Sequence, residues 1–552
     1  MKKLMSVFLA VLLVLSLGLP TAFAEEPEAA AEETEAAAEE TEAAAEGAET
    51  RELTEEELAV ALHVIENFVA LSQVPRPNGH EEKISAFFKQ WAEEQGLNPV
   101  QDEVLNVIFD VPATKGYEDW PMVGLQAHMD MVCVGDSPDY DPENDPITVV
   151  VDYDTITMTA DGTSLGGDDG IGCAIIMSMV QGLAPHGPLR VILTVDEEGF
   201  MKGIANLDPS VVADLKYLVN VDSETSDAVT VSTAGGYEID IDCDEVDVKA
   251  PDGDLAVTVT VSGLAGGHSG VDIDKGRQNA IYVLDAVLKG IVDAGVPFEI
   301  ASMEGGQASN AIPDNADALL VIRSEDFEKL SAVVAEQEAA WKARAAADPG
   351  LTITSAKADG MPEKVIAPEF AVRVQLLLDG LVNGIYSMSD EIEGLVESSS
   401  NMGVFSLSPK GLTSYSYARS SSGEKQEEIL AIAEKVITEC GLTAKYVWGG
   451  DPWPYKPDSV LIPLTQEVYR EQNGSEIKVE AVHATLECGT FAKMNPDLDM
   501  VSIGPDLINV HSTSEMLYLL TIPKTFNLLA GILDGVAAAA SQNADEPRPA
   551  AA

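Results

Sequence analysis

Two patterns of apolar and polar positions divide the chain, and the change between them lies near Gly235. Before that point, four continuous apolar runs predict buried strands, and helical patterns such as 171–183 separate some of them. The apolar runs lie at 104–110, 122–127, 189–195 and 216–221. A capping box at Thr54 predicts a further helix that runs to about Leu71. Buried strands that alternate with helices predict an α/β domain with a mostly parallel sheet.

After Gly235 the strand patterns alternate apolar and polar positions, as in 256–262, and a helix is expected at about 277–290. Further strand and helix patterns lie at 317–323, 369–390, 402–408, 413–419 and 424–438. This arrangement predicts an α+β lid, an antiparallel sheet with helices on one face, inserted into the first domain. The lid is long enough for two similar halves, but its sequence shows no convincing repeat.

The first domain resumes near Val447 and ends in a helix at about 513–535, whose start carries the capping-box pattern Ser512-x-x-Glu515. The chain therefore divides into six segments. They are a signal peptide 1–24, an acidic low-complexity linker 25–50, the first domain in two parts at 51–235 and 447–536, the lid 236–446 and a disordered tail 537–552.

The N-terminus predicts an export signal. Lys2 and Lys3 precede an apolar stretch at 5–19 that is short for a membrane span, and Ala22-Phe-Ala24 is a small-x-small cleavage pattern. We therefore expect an exported protein, extracellular or associated with the cell envelope, with no membrane span once the signal is cleaved. An uncleaved N-terminal anchor is the alternative.

The formal net charge of −61 argues against anionic partners. Nucleic acid and anionic membrane surfaces are excluded on this ground, because acidic surface would have to meet phosphate. The five cysteines are scattered and form no C-x-x-C pair, which predicts buried thiols rather than a disulfide framework.

Five acidic or histidine clusters, most of them at the end of an apolar run, carry the candidate chemistry. They are His128-x-Asp130, Asp168-Asp169, Glu197-Glu198, Asp222 and His511. Two His, two Asp and one Glu can hold a pair of divalent metals, and one further Glu can act as a general base. Together they indicate metal-assisted hydrolysis. Each cluster alone also fits a structural role, such as a helix cap or a solvated acidic turn, but coincidence does not explain all five in this order.

The order His-x-Asp, Asp, Glu-Glu, Asp, His resembles the co-catalytic zinc aminopeptidase and aminoacylase superfamily. Within it, the chain is most similar to the dipeptidase branch of the aminoacyl-histidine, carnosinase-like enzymes. Further motifs carry the resemblance over about 53–535. They are Val74-Pro-Arg-Pro-Asn-Gly-His80, Gly266-Gly-His-Ser-Gly270, Lys275-Gly-Arg-Gln-Asn279, Asn310-Ala-Ile-Pro313, His483-Ala-Thr-Leu-Glu-Cys-Gly489 and Met500-Val-Ser-Ile-Gly-Pro505. The resemblance implies a metallopeptidase whose mostly parallel-sheet catalytic domain carries the inserted α+β lid.

The resemblance also implies a metal ligand set. His128 and Asp222 would hold one metal, Glu198 and His511 the other, and Asp168 would bridge the two. The mixed imidazole and carboxylate set favours Zn, while Mn or Co could also support activity.

Catalytic roles follow from the same resemblance. Glu197 would be the general base that later returns its proton to the leaving amine, and Asp130 would orient His128. In this family the peptide bond after the bridging aspartate is often cis, so the bond between Asp168 and Asp169 is a candidate.

The lid would complete the site. His268 resembles the lid histidine that stabilises the tetrahedral oxyanion, and Asn310 and Arg419 would hold the substrate, Arg419 at its terminal carboxylate. The resemblance gives no role to His80, His483 and Glu487 beyond support of the pocket.

The predicted activity is hydrolysis of unblocked dipeptides, Xaa-His dipeptides preferred, by a metal-activated water. The segment that starts at Trp448 departs from the branch pattern and can reshape the pocket, which bears on the histidine preference. An N-acyl amino acid deacylase, a tripeptidase and a non-catalytic metal- or peptide-binding protein are the alternatives. The intact Glu197 argues against the last, because binding alone needs no base. A homodimer is compatible with these assignments.

Overall fold

The structure is a computed structural model that describes residues 53–392 and 394–543, with side chains through residue 537. The predicted signal peptide and acidic linker, and most of the predicted tail, lie outside the described residues.

Eleven α-helices lie in the described part of the chain. They are α1 (Glu55–Ser72), α2 (Glu82–Glu94), α3 (Gly167–Val180), α4 (Lys202–Ala205), α5 (Ala280–Asp293), α6 (Phe327–Lys342), α7 (Pro368–Gly380), α8 (Gly423–Glu439), α9 (Leu461–Asn473), α10 (Cys488–Met494) and α11 (Ile522–Asn543). The capping box predicted for α1 is present, because Glu57 N donates to Thr54 Oγ1 and Thr54 N donates to Glu57 Oε2.

The strands fall into two large sheets and three small ones. They are β1 (Val100–Gln101), β2 (Val107–Val111), β3 (Val123–His128), β4 (Val149–Asp152), β5 (Thr157–Ala160), β6 (Leu189–Thr194), β7 (Tyr217–Asn220), β8 (Ala228–Thr233), β9 (Gly235–Cys243), β10 (Val248–Lys249), β11 (Leu255–Ser262), β12 (Gly267–His268), β13 (Glu299–Gly305), β14 (Ala311–Ile312), β15 (Ala316–Ile322), β16 (Thr352–Lys357), β17 (Val365–Ile366), β18 (Gly384–Met388), β19 (Val396–Ser408), β20 (Gly411–Ser420), β21 (Lys445–Trp448), β22 (Lys478–Val482), β23 (Asp499–Ser502), β24 (Leu507–Ile508) and β25 (Met516–Tyr518).

The first domain, which the resemblance predicts to be the catalytic domain, is built on an eight-stranded sheet of order β1-β2-β6-β3-β7-β23-β8-β22. Its centre, from β6 through β3 and β7 to β23, is parallel, and β2 and β8 join it antiparallel. One apolar cluster packs α1, α3 and α11 against one face, and a second packs α4 and α10 against the other. The predicted α/β fold with a mostly parallel sheet is confirmed, and it brings the carboxyl ends of β3, β6 and β7 together at one edge.

The lid is an antiparallel sheet of order β16-β11-β15-β13-β19-β20-β9-β21, with β18 beside β19. A single apolar cluster, which includes Val283 of α5, Phe370 of α7 and Ile429 of α8, joins its helices to the sheet. The predicted inserted α+β lid is therefore confirmed. Since β9 and β21 both belong to this sheet, the lid sheet extends from Gly235 to Trp448.

The lid consists of two βαββαβ units. The first is β11-α5-β13-β15-α6-β16, and the second is β9-α7-β19-β20-α8-β21. The sheet order of the second unit mirrors that of the first, and the units meet where β13 pairs antiparallel with β19. The two units share the same order of strands and helices, and the sequence pattern did not reveal this repeat. The second unit is also interrupted, because the whole first unit lies between β9 and α7.

The start predicted for the helix at 513–535 is wrong. Residues Met516–Tyr518 form β25, and α11 begins at Ile522, one residue before Pro523. Ser512 and Glu515 therefore form no capping box. Glu515 instead accepts hydrogen bonds from the backbone of Leu165, Gly166 and Gly167.

In the described part of the chain, one helix is long and apolar enough to cross a membrane, at Leu519–Ala537. Just over half of that stretch, 56%, is buried, and α11 packs against α1 and α9. The core of a folded domain gives the same composition. All five cysteines are free, and Cys173, Cys440 and Cys488 are buried as predicted.

Candidate metal centre

The predicted metal-binding side chains meet at the carboxyl edge of the catalytic sheet. His128 ends β3, Glu197 and Glu198 follow β6, and Asp222 follows β7. Asp168 lies in the first turn of α3, and this turn reaches the same edge of the sheet.

Two groups of side chains share Asp168. His128 Nε2 lies 3.0 Å from Asp168 Oδ1 and 3.4 Å from Asp222 Oδ1. On the other side, His511 Nε2 lies 2.7 Å from Glu198 Oε1 and 3.3 Å from Asp168 Oδ2. The two oxygens of Asp168 thus face different groups, as a bridging carboxylate requires.

The donor chemistry fits two divalent cations. In each group, ligand atoms of the three residues lie within 4.8 Å of one another, close enough to surround one ion. Asp222 Oδ2 is buried and has no hydrogen-bond partner in the described structure. Such an orphaned carboxylate oxygen is costly unless a cation or a donor occupies the space beside it.

Electrostatics also favour a cation. Burial raises the pKa of the Glu197 carboxyl well above its usual range, opposed by His128 and reinforced by Asp222. Burial raises the pKa of Glu198 to about 7, although its hydrogen bond with His511 acts in the opposite direction. The carboxylates of Asp168 and Glu198 in turn raise the pKa of His511 to about 11. Burial therefore makes it costly to ionise these carboxyl groups together, and a bound cation would offset that cost.

The general-base candidate lies beside this centre. Glu197 forms a third close group with His128 and Glu198, whose ligand atoms also lie within 4.8 Å. No hydrogen bond holds the Glu197 side chain in the described structure, so its carboxylate can reach a water or a substrate proton.

Asp130 does more than the sequence indicated. Its Oδ1 lies 3.5 Å from His128 Nδ1, which has no hydrogen-bond partner in the described structure. The same carboxylate accepts from Glu197 N at 3.2 Å and from Glu198 N at 3.1 Å. Asp130 therefore holds the loop that carries the candidate base, a role that the His-x-Asp spacing alone could not show.

The loop before Asp168 is tightly built. The peptide bond between Asp168 and Asp169 is cis, as the resemblance suggested. Gly166 has a φ of +68°, and a Cβ there would lie 2.6 Å from Arg76 Nη2, so only glycine fits. Asp169 is buried and accepts from the backbone of His128 and Gly172.

The predicted substrate residues of the lid form a second cluster. Arg419 Nη2 lies 3.3 Å from His268 Nε2, and its guanidinium lies 4.3 Å from the centre of the Tyr417 ring. Asn310 is exposed, and its carbonyl accepts from Ser269 N, which places it beside His268. Within the described residues, no hydrogen bond or ion pair links His268, Asn310 or Arg419 to the metal centre.

His483 belongs to this second cluster, although the resemblance assigned it no role beyond support of the pocket. It comes from the catalytic domain, and its Nε2 lies 2.8 Å from Ser399 Oγ of the lid. Its carbonyl lies 2.3 Å from where a Cβ of residue 270 would stand, so Gly270 allows the close approach. Burial, then Arg419 and His268, lower the pKa of His483 to about 3.

The cluster presents hydrogen-bond donors without an acceptor. Gly270 N and Val271 N both donate to His268 Nδ1, so a neutral His268 carries its proton on Nε2. The Nε2–H of His268 and the guanidinium of Arg419 then face each other. Two hydrogen-bond donors do so favourably only when an anion lies between them. Arg419 is 5% exposed, its Nε has no partner, and it forms no ion pair in the described structure.

The chain is similar to known peptidases. The family described as peptidase dimerisation domain matches residues 259–349. Cytosol non-specific dipeptidase of Escherichia coli (strain K12) is 30% identical over 475 residues, which are 85% of this chain and 97% of that protein. The crystal structure of aminoacylhistidine dipeptidase from Vibrio alginolyticus matches with a TM-score of 0.78 and 30% identity, over 86% of this chain and 96% of that one.

Proposed function

The chain belongs to the M20 family of metallopeptidases, and from this premise we propose that it is a two-metal dipeptidase that hydrolyses unblocked dipeptides. The observation that carries the proposal is the pair of ligand groups that share Asp168. The two relatives named above are both dipeptidases by name, and each is covered almost completely by this chain.

The residues of the centre divide the chemistry between them. A bound metal pair, most favourably Zn, would supply Lewis-acid polarisation of the scissile carbonyl and a lowered pKa for water. His128, Asp168, Glu198, Asp222 and His511 would hold it. Glu197 removes a proton from the attacking water and returns it to the leaving amine, and Asp130 fixes the Glu197 backbone during that transfer.

The lid cluster supplies the anion site. Arg419 pairs with the terminal carboxylate of the dipeptide, and His268 donates Nε2–H to the developing oxyanion. Burial and Arg419 lower the pKa of His268 to about 4, so this imidazole stays neutral and keeps its donor at neutral pH. Since one dipeptide must reach both clusters, the lid has to close on the catalytic domain for turnover.

A preference for Xaa-His dipeptides is part of the proposal. It rests on the name of the Vibrio alginolyticus relative, whereas the Escherichia coli relative is named non-specific.

Dipeptide hydrolysis by metal-stripped protein re-loaded with Zn or Mn tests the function. We expect metal-dependent cleavage of Gly-His and β-Ala-His, and slower cleavage of the same peptides as C-terminal amides, because the amide lacks the charge that Arg419 binds. Cleavage of N-acetylated amino acids instead would favour the deacylase, and cleavage of tripeptides alone would favour the tripeptidase. Two bound metals without any cleavage would favour the binding protein.

Arg419→Met is the matched variant for that experiment. Its kcat/KM for free dipeptides should fall about 30-fold or more, as for the loss of one partner of a buried charged pair. Its kcat/KM for the amides should stay nearly unchanged, so the variant loses the discrimination between the two substrate sets. If kcat/KM fell equally for the free dipeptides and for their amides, the terminal carboxylate of the substrate would have to bind elsewhere.

Export is also proposed, on the strength of Lys2, Lys3 and the apolar stretch that follows them. A mature protein that begins at Glu25 would support cleavage of the signal, and a chain that retains residues 1–24 would favour the anchor.

Homodimer formation stays a prediction. The segment that matches the peptidase dimerisation domain lies within the first βαββαβ unit of the lid, from β11 through α6. Its edge strand β13 is already paired with β19 of the same chain, so a dimer would need a different surface.

A further inference from the structure

Glu515 is a buried carboxylate with no part in the proposed reaction. It is 2% exposed and forms no ion pair in the described structure. A carboxylate in that position is costly unless backbone or side-chain donors replace its hydration.

Its partners are four successive backbone N–H groups. Glu515 Oε2 accepts from Leu165 N at 2.8 Å and from Gly166 N at 2.9 Å. Oε1 accepts from Gly167 N at 2.7 Å and, more weakly, from Asp168 N at 3.3 Å. Successive N–H groups that converge on one anion form a nest, and here the anion belongs to the protein itself.

Arg76 holds the same loop from the opposite side. It is 2% exposed, and its guanidinium donates to the carbonyls of Met129, Asp130 and Gly166. Gly166 is therefore bound through its N–H by Glu515 and through its carbonyl by Arg76. The second contact ties the Asp168 loop to the chain that leaves His128.

Glu515 also lies on the segment that carries His511. Both residues fall between β24 and β25, which pair with each other. The carboxylate thus connects the backbone before Asp168 to the backbone after His511. Between the side chains of the two segments at the centre, His511 Nε2 approaches Asp168 Oδ2 to 3.3 Å.

We propose that Glu515 is a positioning residue that sets the spacing between the bridging carboxylate of Asp168 and the imidazole of His511, and so the affinity of the second metal position. The inference rests on the proposed metal pair but not on the identity of the substrate. Loss of the carboxylate would let the two segments separate, and the Asp168, Glu198 and His511 group would widen first.

Glu515→Gln tests this, because the amide keeps the shape but turns an NH2 group toward two of the four N–H donors. We expect the weaker of the two Zn²⁺ affinities, measured by competition with a chelating dye on metal-free protein, to fall about 10- to 100-fold, as for partners that orient metal ligands. The visible spectrum of the Co²⁺-loaded variant should change, and kcat should fall with little change in KM.

Asp499→Asn is the matched control for lost stability. Asp499 is 5% exposed and accepts from Val460 N, Leu461 N and Ser459 Oγ in the same domain, away from the metal centre. Both variants should melt at lower temperature without metal, but Asp499→Asn should keep both Zn²⁺ affinities and the Co²⁺ spectrum. Glu515→Asp, which retains the charge, should recover part of the lost affinity.

Two results would overturn the proposal. One is a Glu515→Gln protein that binds both Zn²⁺ ions as tightly as the parent. The other is an equal loss of Zn²⁺ affinity in Asp499→Asn, which would make the effect one of general stability. Failure of the proposed function would give a different result: the parent protein would bind two metals tightly and cleave no peptide.

Discussion

Replacing Glu197 by alanine is expected to lower kcat by about 10²- to 10⁴-fold, the usual contribution of a general base. The variant should retain two metals per chain, because His128, Asp168, Glu198, Asp222 and His511 remain. The reason lies in the position of Glu197: it is close to His128 and Glu198, and its carboxylate has no hydrogen-bond partner in the described structure. Rates with saturating dipeptide and metal content by elemental analysis are the two measurements.

Glu197→Gln sharpens this test. The amide has the size of the carboxylate but cannot take a proton, and Asp130 can still accept from the backbone at residue 197. The kcat of Glu197→Gln should be as low as that of Glu197→Ala. If kcat of Glu197→Gln stayed within tenfold of the parent, another group would have to be the base.

Replacing Asp168 by alanine is expected to leave at most one tightly bound metal and to lower kcat/KM by more than about 100-fold, beyond the range for partners that only orient ligands. Asp168 is the only side chain common to the His128–Asp222 group and the Glu198–His511 group. Its removal therefore weakens both positions at once, while loss of any other ligand weakens one. Metal stoichiometry and the dipeptide rate measure the two effects.

Asp169→Asn is the control, because it changes the neighbouring carboxylate and leaves the bridge intact. The hydrogen bonds of the Asp169 carboxylate in the described structure come from backbone N–H groups, those of His128 and Gly172, and an amide oxygen can accept from one of them. This variant should keep both metals and most of its activity. Retention of both metals by Asp168→Ala would show that the bridge lies elsewhere.

That several candidate metal ligands lie together could be predicted because they follow buried strands. Parallel strands bring their carboxyl ends to one edge, so the positions of His128, Glu197 and Asp222 after apolar runs already placed them together. The bridging Asp168 and the distant His511 needed the resemblance, since no periodicity relates them to the sheet.

Glu515 was misread because a capping box is a local pattern. Ser-x-x-Glu before an apolar run predicts a helix start, but the N–H groups that Glu515 binds lie some 350 residues earlier. A signal for the true start was available in Pro523, since proline is favoured in the first turn of a helix. The loop that Glu515 binds could not be found from the sequence, because a contact between residues far apart in the chain produces no pattern in residue spacing.

Asp130 and His483 show the same limit. The contact of Asp130 with two backbone N–H groups depends on how the loop after β6 turns, and His483 meets Ser399 across two domains. The His-x-Asp spacing and the resemblance predicted that Asp130 orients His128, and the resemblance gave His483 no role beyond support of the pocket. The partners of both residues followed only from the fold.

The interrupted second unit of the lid imposes an order on its biosynthesis. The first unit is continuous from β11 to β16, so it can fold as soon as it leaves the ribosome. Strand β9 is made before all of it, yet its neighbours β20 and β21 are made last, with Gly235 finally opposite Ser420. Until then β9 has no partner in its own unit, and its pairing closes the longest loop of the lid sheet. The half of the lid that carries Arg419 is therefore completed last, after the unit that it adjoins has already formed.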